Sequence, residues 1–148
     1  MVDHKLASAL HLNITETEKY FTVPTPFNTL LWRVVVMNAE GYQEGFYSLR
    51  KPNQEINFRQ VDIDPEAKAL ASAYVSYKKL QWFAHDFLKT EIIEDHLVIS
   101  DLRMGSEPDY VFRFAIGDKT SGTWLPITPL KKGTRYDRER LKEIFEIL

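Results

Sequence analysis

This sequence has no cysteine, which excludes disulfides, thiolate nucleophiles and cysteine-ligated metal centres. It also lacks a long apolar run. Its longest unbroken aliphatic stretch, residues 34–37, is far short of the roughly 20 residues that a membrane-spanning helix needs. The first residues carry no signal-peptide core, so a soluble piece is expected. Neither sign of charge is in large excess: 19 Lys and Arg against 21 Asp and Glu leave a formal net charge of -2. That balance removes the electrostatic footprint of a nucleic-acid binder, and nucleic acid is not an expected partner. The six glycines are scattered, with no GxGxxG or Walker pattern to cradle phosphates. HExxH, an EF-hand loop and the GxSxG elbow are absent too. The four histidines make no standard ligand set: His4 and His11 lie seven apart, while His85-Asp86 and Asp95-His96 are isolated pairs. Ser100 beside Asp101 reads as a packed hydroxyl. No metal and no cofactor is therefore expected in this chain.

What is present is a 148-residue chain with 44% hydrophobic and 13% aromatic content, enough for one well-filled core. The expectation is one α+β domain over residues 1–148, with a mostly antiparallel five- to six-stranded sheet, helices covering it, and a helix at each terminus. The N-terminal helix follows Asp3 and places Leu6, Leu10 and Ile14 on a stripe; the C-terminal one places Leu141, Ile144, Phe145 and Leu148 on a face. Between them the organising segment is Pro24-Thr25-Pro26-Phe27-Asn28-Thr29-Leu30-Leu31-Trp32-Arg33-Val34-Val35-Val36-Met37. Its prolines bar a helix and its β-branched and aromatic residues favour a strand. One face would carry Leu30, Trp32, Val34 and Val36, the other Leu31, Arg33, Val35 and Met37. The turn at Asn38-Ala39-Glu40-Gly41 returns residues 42–49 as a hairpin partner, in which Gly45 marks a bulge or a close approach.

Residues 56–61 read as a third strand. Asp64-Pro65 starts a helix, or two helices meeting near Ser76, running to about residue 87. Residues 89–93 and 97–104 form a second hairpin around Glu94-Asp95-His96, and residues 110–116 a further strand. Residues 117–133, rich in glycine and proline, are expected to be irregular and pinned to the core by Trp124. Trp32, Trp82 and Trp124 are all expected in core positions.

The chemistry-bearing residues are polar groups on or beside predicted inner strands: Asn28, Arg33, Tyr47, Asp101, Arg103 and Arg113, with Trp32 and Glu44 alongside. A guanidinium buried on the Arg33 strand needs a carboxylate, and Asp101 inside the apolar segment 97–102 is the expected partner. Such a network fixes strand register. Its functional reading is a site for a small anionic ligand or a partner, with Arg103 or Arg113 making a forked contact.

Three blocks carry a resemblance. They are the segment from Pro24 to Val35; Gly41-Tyr42-Gln43-Glu44-Gly45-Phe46-Tyr47-Ser48-Leu49; and Ser100-Asp101-Leu102-Arg103-Met104-Gly105 with Pro108-Asp109-Tyr110-Val111-Phe112-Arg113-Phe114. Together, over residues 20–116 and with Leu80-Gln81-Trp82-Phe83 in keeping, they resemble the C-terminal soluble region of the membrane-bound metal-dependent hydrolases of the bacterial inner membrane. The resemblance implies a cytoplasmic domain of a larger inner-membrane protein, whose partner is the N-terminal membrane region, and a divalent metal for the full-length family. In that family the hydrolase label is tied to a His-Arg segment followed by Thr-His-Ser in the membrane region, and no histidine here is followed by Arg. Asp86 also stands where the family has a Gly before an aromatic. The expected role is an accessory or binding domain. The alternative is a self-contained hydrolase with a metal or carboxylate pair assembled in space.

Overall fold

The computed structural model describes residues 18–51 and 53–132. Between Asp62 and Ile63 the chain divides into two compact units. Strands hold 54% of the described residues and helices 15%.

The first unit is one antiparallel sheet of β1 (Tyr20–Thr25), β2 (Asn28–Met37), β3 (Gly41–Ser48) and β4 (Arg59–Asp62), in that spatial order. β2 is the proline-flanked segment, and it pairs with β3 from Leu31 opposite Ser48 to Met37 opposite Tyr42. Asn38 closes the connecting turn, its Oδ1 accepting from the Glu40 and Gly41 backbone N–H groups at 3.1 and 2.8 Å. The alternation of β2 sends Val34 and Val36, with Trp32 partly buried, to a cluster with Tyr47, Ile56, Leu49 and Phe58. Gly45 is a close approach: a Cβ there would stand 2.5 Å from Ile56 Cγ2.

The second unit begins with α1 (Pro65–Ser72) and α2 (Val75–Phe83). Asp64 caps α1 by accepting from the Glu66 N–H at 2.9 Å, and Pro65 occupies the first turn, where a missing N–H costs nothing. The break between the helices falls at Tyr74, whose extended backbone begins α2. There follow β5 (Leu88–Ile93), β6 (His96–Asp101), the short ribbon of β7 (Gly105–Ser106) and β8 (Asp109–Tyr110), then β9 (Arg113–Thr120) and β10 (Thr123–Lys131). The larger sheet has the order β10-β9-β6-β5. Ala67, Ala71, Tyr77 and Ala84 meet Leu88, Leu97, Ile99 and Ile116 in the core of this unit, with Trp124 packed against it as expected.

Two expectations are overturned. The single helix-covered sheet of five to six strands is replaced by antiparallel sheets of four, four and two strands. The irregular excursion over residues 117–133 is replaced by the end of β9 and the whole of β10 through Lys131. The hairpin between them turns on Ser121 and Gly122, both at positive φ (51° and 80°), the twist that two-residue hairpins favour. Pro126 and Pro129 are tolerated because β10 is an edge strand whose register slips between Pro126 and Leu130, so neither has to donate to a second neighbour. Both expected terminal helices lie outside the described residues. Among the described residues no helix is long and apolar enough to cross a membrane.

Candidate functional site

The polar residues singled out from the sequence fall into separate groups, each built by strand register. In the first unit, β2 and β3 place Arg33 diagonal to Glu44 on the face opposite the Val34 cluster. Arg33 Nε donates to Glu44 Oε1 at 2.6 Å, with the two side chains only 2% and 3% exposed. Arg59, opposite Glu44 on β4, brings a second guanidinium within 3.6 Å of the other carboxylate oxygen. The Phe21 ring of β1 lies 5.6 Å from the Arg33 guanidinium carbon, a cation–π contact. The row Phe21, Arg33, Glu44, Arg59 thus crosses all four strands. A pair this deeply buried persists because each charge is matched, and breaking one side would strand the other.

The expected pairing of Arg33 with Asp101 is corrected by this geometry. Arg33 finds its carboxylate on the adjacent strand, and Asp101 finds its guanidinium two residues along the chain. Arg103 Nε and Nη2 donate to the Asp101 oxygens at 3.0 and 2.7 Å, and the Arg103 backbone N–H adds a third bond at 3.0 Å. Hydrogen bonding to Asp101 pushes the Arg103 pKa up from its ordinary value, and partial burial opposes it. Arg103 is 31% exposed and spreads over the Phe83 ring at 5.1 Å.

Of the other expected site residues, Asn28 and Trp32 serve the β1–β2 hairpin. Asn28 Oδ1 accepts from the Leu30 N–H at 2.9 Å, and Trp32 Nε1 donates to the Thr29 carbonyl at 3.0 Å. Tyr47 is buried in the Val34 cluster, on the opposite face from Arg33. Arg113 belongs to a group that sequence reasoning missed. Lys89, Ser100 and Arg113 stand directly across β5, β6 and β9. Lys89 Nζ donates to both Glu107 oxygens at 2.9 and 3.0 Å and lies 3.2 Å from Glu91, while Arg113 Nη2 lies 3.6 Å from Glu91. Ser100 Oγ and Arg113 Nε are buried without a hydrogen-bond partner among the described residues. The signal was available: Lys89 and Glu91 alternate with Leu88, Thr90 and Ile92, which marks a strand face lined with charge.

His96 and Asp118 are paired across β6 and β9, with Nδ1 2.6 Å from Oδ1, and both are about one third exposed. An imidazole held this way by a carboxylate has the orienting half of an acid–base pair. Among the described residues no group of three His, Cys, Asp or Glu side chains is placed to hold a metal ion.

Large aromatic side chains stand in solvent. Phe27 at the β1–β2 tip is 101% exposed, and Trp82 and Phe83 at the end of α2 are 81% and 59% exposed. Trp82 corrects the expectation of a core position. It follows Gln81 on the outward side of a helix whose inward side is spent on Tyr77, Leu80 and Ala84. None of the family models, curated proteins and solved structures compared with this chain matches it.

Proposed function

We propose that this chain is a binding or accessory domain, and that its partner is the membrane region of a metal-dependent hydrolase of the kind its three sequence blocks resemble. One observation carries the reading: charge is spent inward and aromatic surface is offered outward. Arg33 with Glu44, Asp101 with Arg103, and Lys89 with Glu107 are committed to one another, whereas Phe27, Trp82 and Phe83 are presented to whatever docks. Aromatic side chains anchor interfaces because they bury much area with little rotamer loss.

The geometry of His96 and Asp118 favours the second reading, a self-contained hydrolase using that pair as its base. One experiment separates the two. The chain is melted with Zn²⁺, Mn²⁺ or Mg²⁺, before and after chelator, and assayed for hydrolysis alone. An accessory domain shows no chelator-reversible stabilisation and no turnover. Chelator-sensitive turnover, or turnover abolished by His96→Ala, overturns the accessory reading. Genomic sequence upstream of Met1 encoding a multi-span membrane segment would support it.

A further inference from the structure

The tip of the β1–β2 hairpin is built in a way that packing alone does not explain. Phe27 is fully exposed and sits at φ 63°, a left-handed conformation that glycine or asparagine adopts easily and a bulky aromatic does not. The turn around it is held firmly: Thr25 is buried and its Oγ1 donates to the Asn28 carbonyl at 3.1 Å, and Asn28 Oδ1 takes the Leu30 N–H. A strained, solvated phenylalanine on a braced turn points to a use for the side chain outside the fold.

We propose that this tip inserts Phe27 and Leu30 into the interfacial layer of an anionic lipid surface, with Arg50 and Lys51 meeting the headgroup phosphates. Three observations favour lipid over a protein groove. Exposed Pro24 and Pro26 have no N–H, and the Leu30 N–H is already satisfied, so the tip desolvates few backbone donors on entering an apolar phase. Leu30, three residues after Phe27 near the start of β2, is 42% exposed and adds a second apolar side chain at this end of the sheet. The same end of the sheet is basic: the Leu49 N–H bonds the Leu30 carbonyl, which sets Arg50 and Lys51 just beyond it, both exposed. Neither makes an ion pair with a described residue, and no acidic residue occurs in segments 19–39 or 45–54; Glu55 is the first to follow. An aromatic and aliphatic tip flanked by cations matches the layering of an anionic membrane surface. The inference goes beyond the accessory role and rests on the tip itself.

The test is co-sedimentation of the 148-residue chain with vesicles of phosphatidylcholine, with or without phosphatidylglycerol. The wild type should pellet with the phosphatidylglycerol vesicles and be released by salt. Phe27→Asn, which suits the left-handed position, should keep or raise the melting temperature yet bind about tenfold more weakly. Phe27→Trp should retain binding, and Arg50→Glu with Lys51→Glu should weaken it by about tenfold or more. Failure of the wild type to pellet, equal pelleting by Phe27→Asn, or equal binding to phosphatidylcholine alone overturns the proposal. A protein partner that captures the wild type but not Phe27→Asn, with no vesicle binding, also overturns it. None of these results bears on metal-dependent turnover, so failure here and failure of the accessory reading are told apart.

Discussion

Each unit of this chain contains an arginine–carboxylate pair, and the two pairs differ in ways that matter for energy. Arg33 and Glu44 come from different strands, are almost completely desolvated, and tie the middle of a four-stranded sheet. Asp101 and Arg103 are near neighbours in sequence, and the guanidinium keeps about a third of its surface in water. Removing Glu44 takes the 2.6 Å carboxylate from an Arg33 that has almost no water to replace it, and removing Arg33 leaves Glu44 with the longer 3.6 Å contact to Arg59 in the same desolvated place. Removing Asp101 leaves a cation that solvent can take up. The same chemistry is structural glue in one place and local trim in the other.

The largest effect is therefore expected at the buried pair. Glu44→Ala or Arg33→Ala should each cost about 3 to 5 kcal/mol in chemical denaturation, and Arg33→Met with Glu44→Leu together should recover much of it. A single variant as stable as wild type would remove the contrast. Next comes Gly45→Ala, whose added methyl meets Ile56 Cγ2 at 2.5 Å and Phe58 Cδ1 at 3.0 Å. Overpacking of this kind should cost about 1 to 3 kcal/mol, with partial rescue by Ile56→Leu, which has no methyl branch at Cβ and so removes the Cγ2 that the new methyl meets. Asp101→Ala should cost only about 1 kcal/mol, since Arg103 is partly solvated and one backbone bond is lost with it. If it costs as much as Glu44→Ala, burial is not what separates the pairs.

The smallest effect is a pH dependence confined to the second unit. Burial, with the negative charge of Asp86 second, raises the Tyr77 pKa above its ordinary value of 10.0. The unfolded phenol ionises first, so this contribution to stability is fully present below about pH 10 and is lost as pH climbs through the folded value. Tyr77→Phe should flatten that part of the alkaline melting profile. An unchanged slope would mean that another group governs it.

Much of the local structure was legible. The prolines before β2, the Asn38–Gly41 turn and the Asp64-Pro65 start each act within a few residues, so their physics is written in adjacent letters. β10 was missed because Pro126 and Pro129 read as breakers unless the strand is known to lie on an edge, and edge position is a tertiary fact. The partner of Arg33 was missed for a related reason. Glu44 was visible as a strand acid, but only the register of β2 against β3 decides that it lies diagonal to Arg33. Trp82 was misplaced because an apolar neighbourhood in sequence does not say which side of a helix faces the sheet.

The outer strand of the second sheet has one more consequence. An unpaired strand border is a template on which a foreign strand can add, and repetition of that step yields fibres. Pro126 and Pro129 deprive the β10 border of two donors, the slipped register bends it, and Lys131 and Lys132 add like charge at its end. The residues that disguise this strand from a reader of the sequence are the ones that keep a second copy from growing onto it.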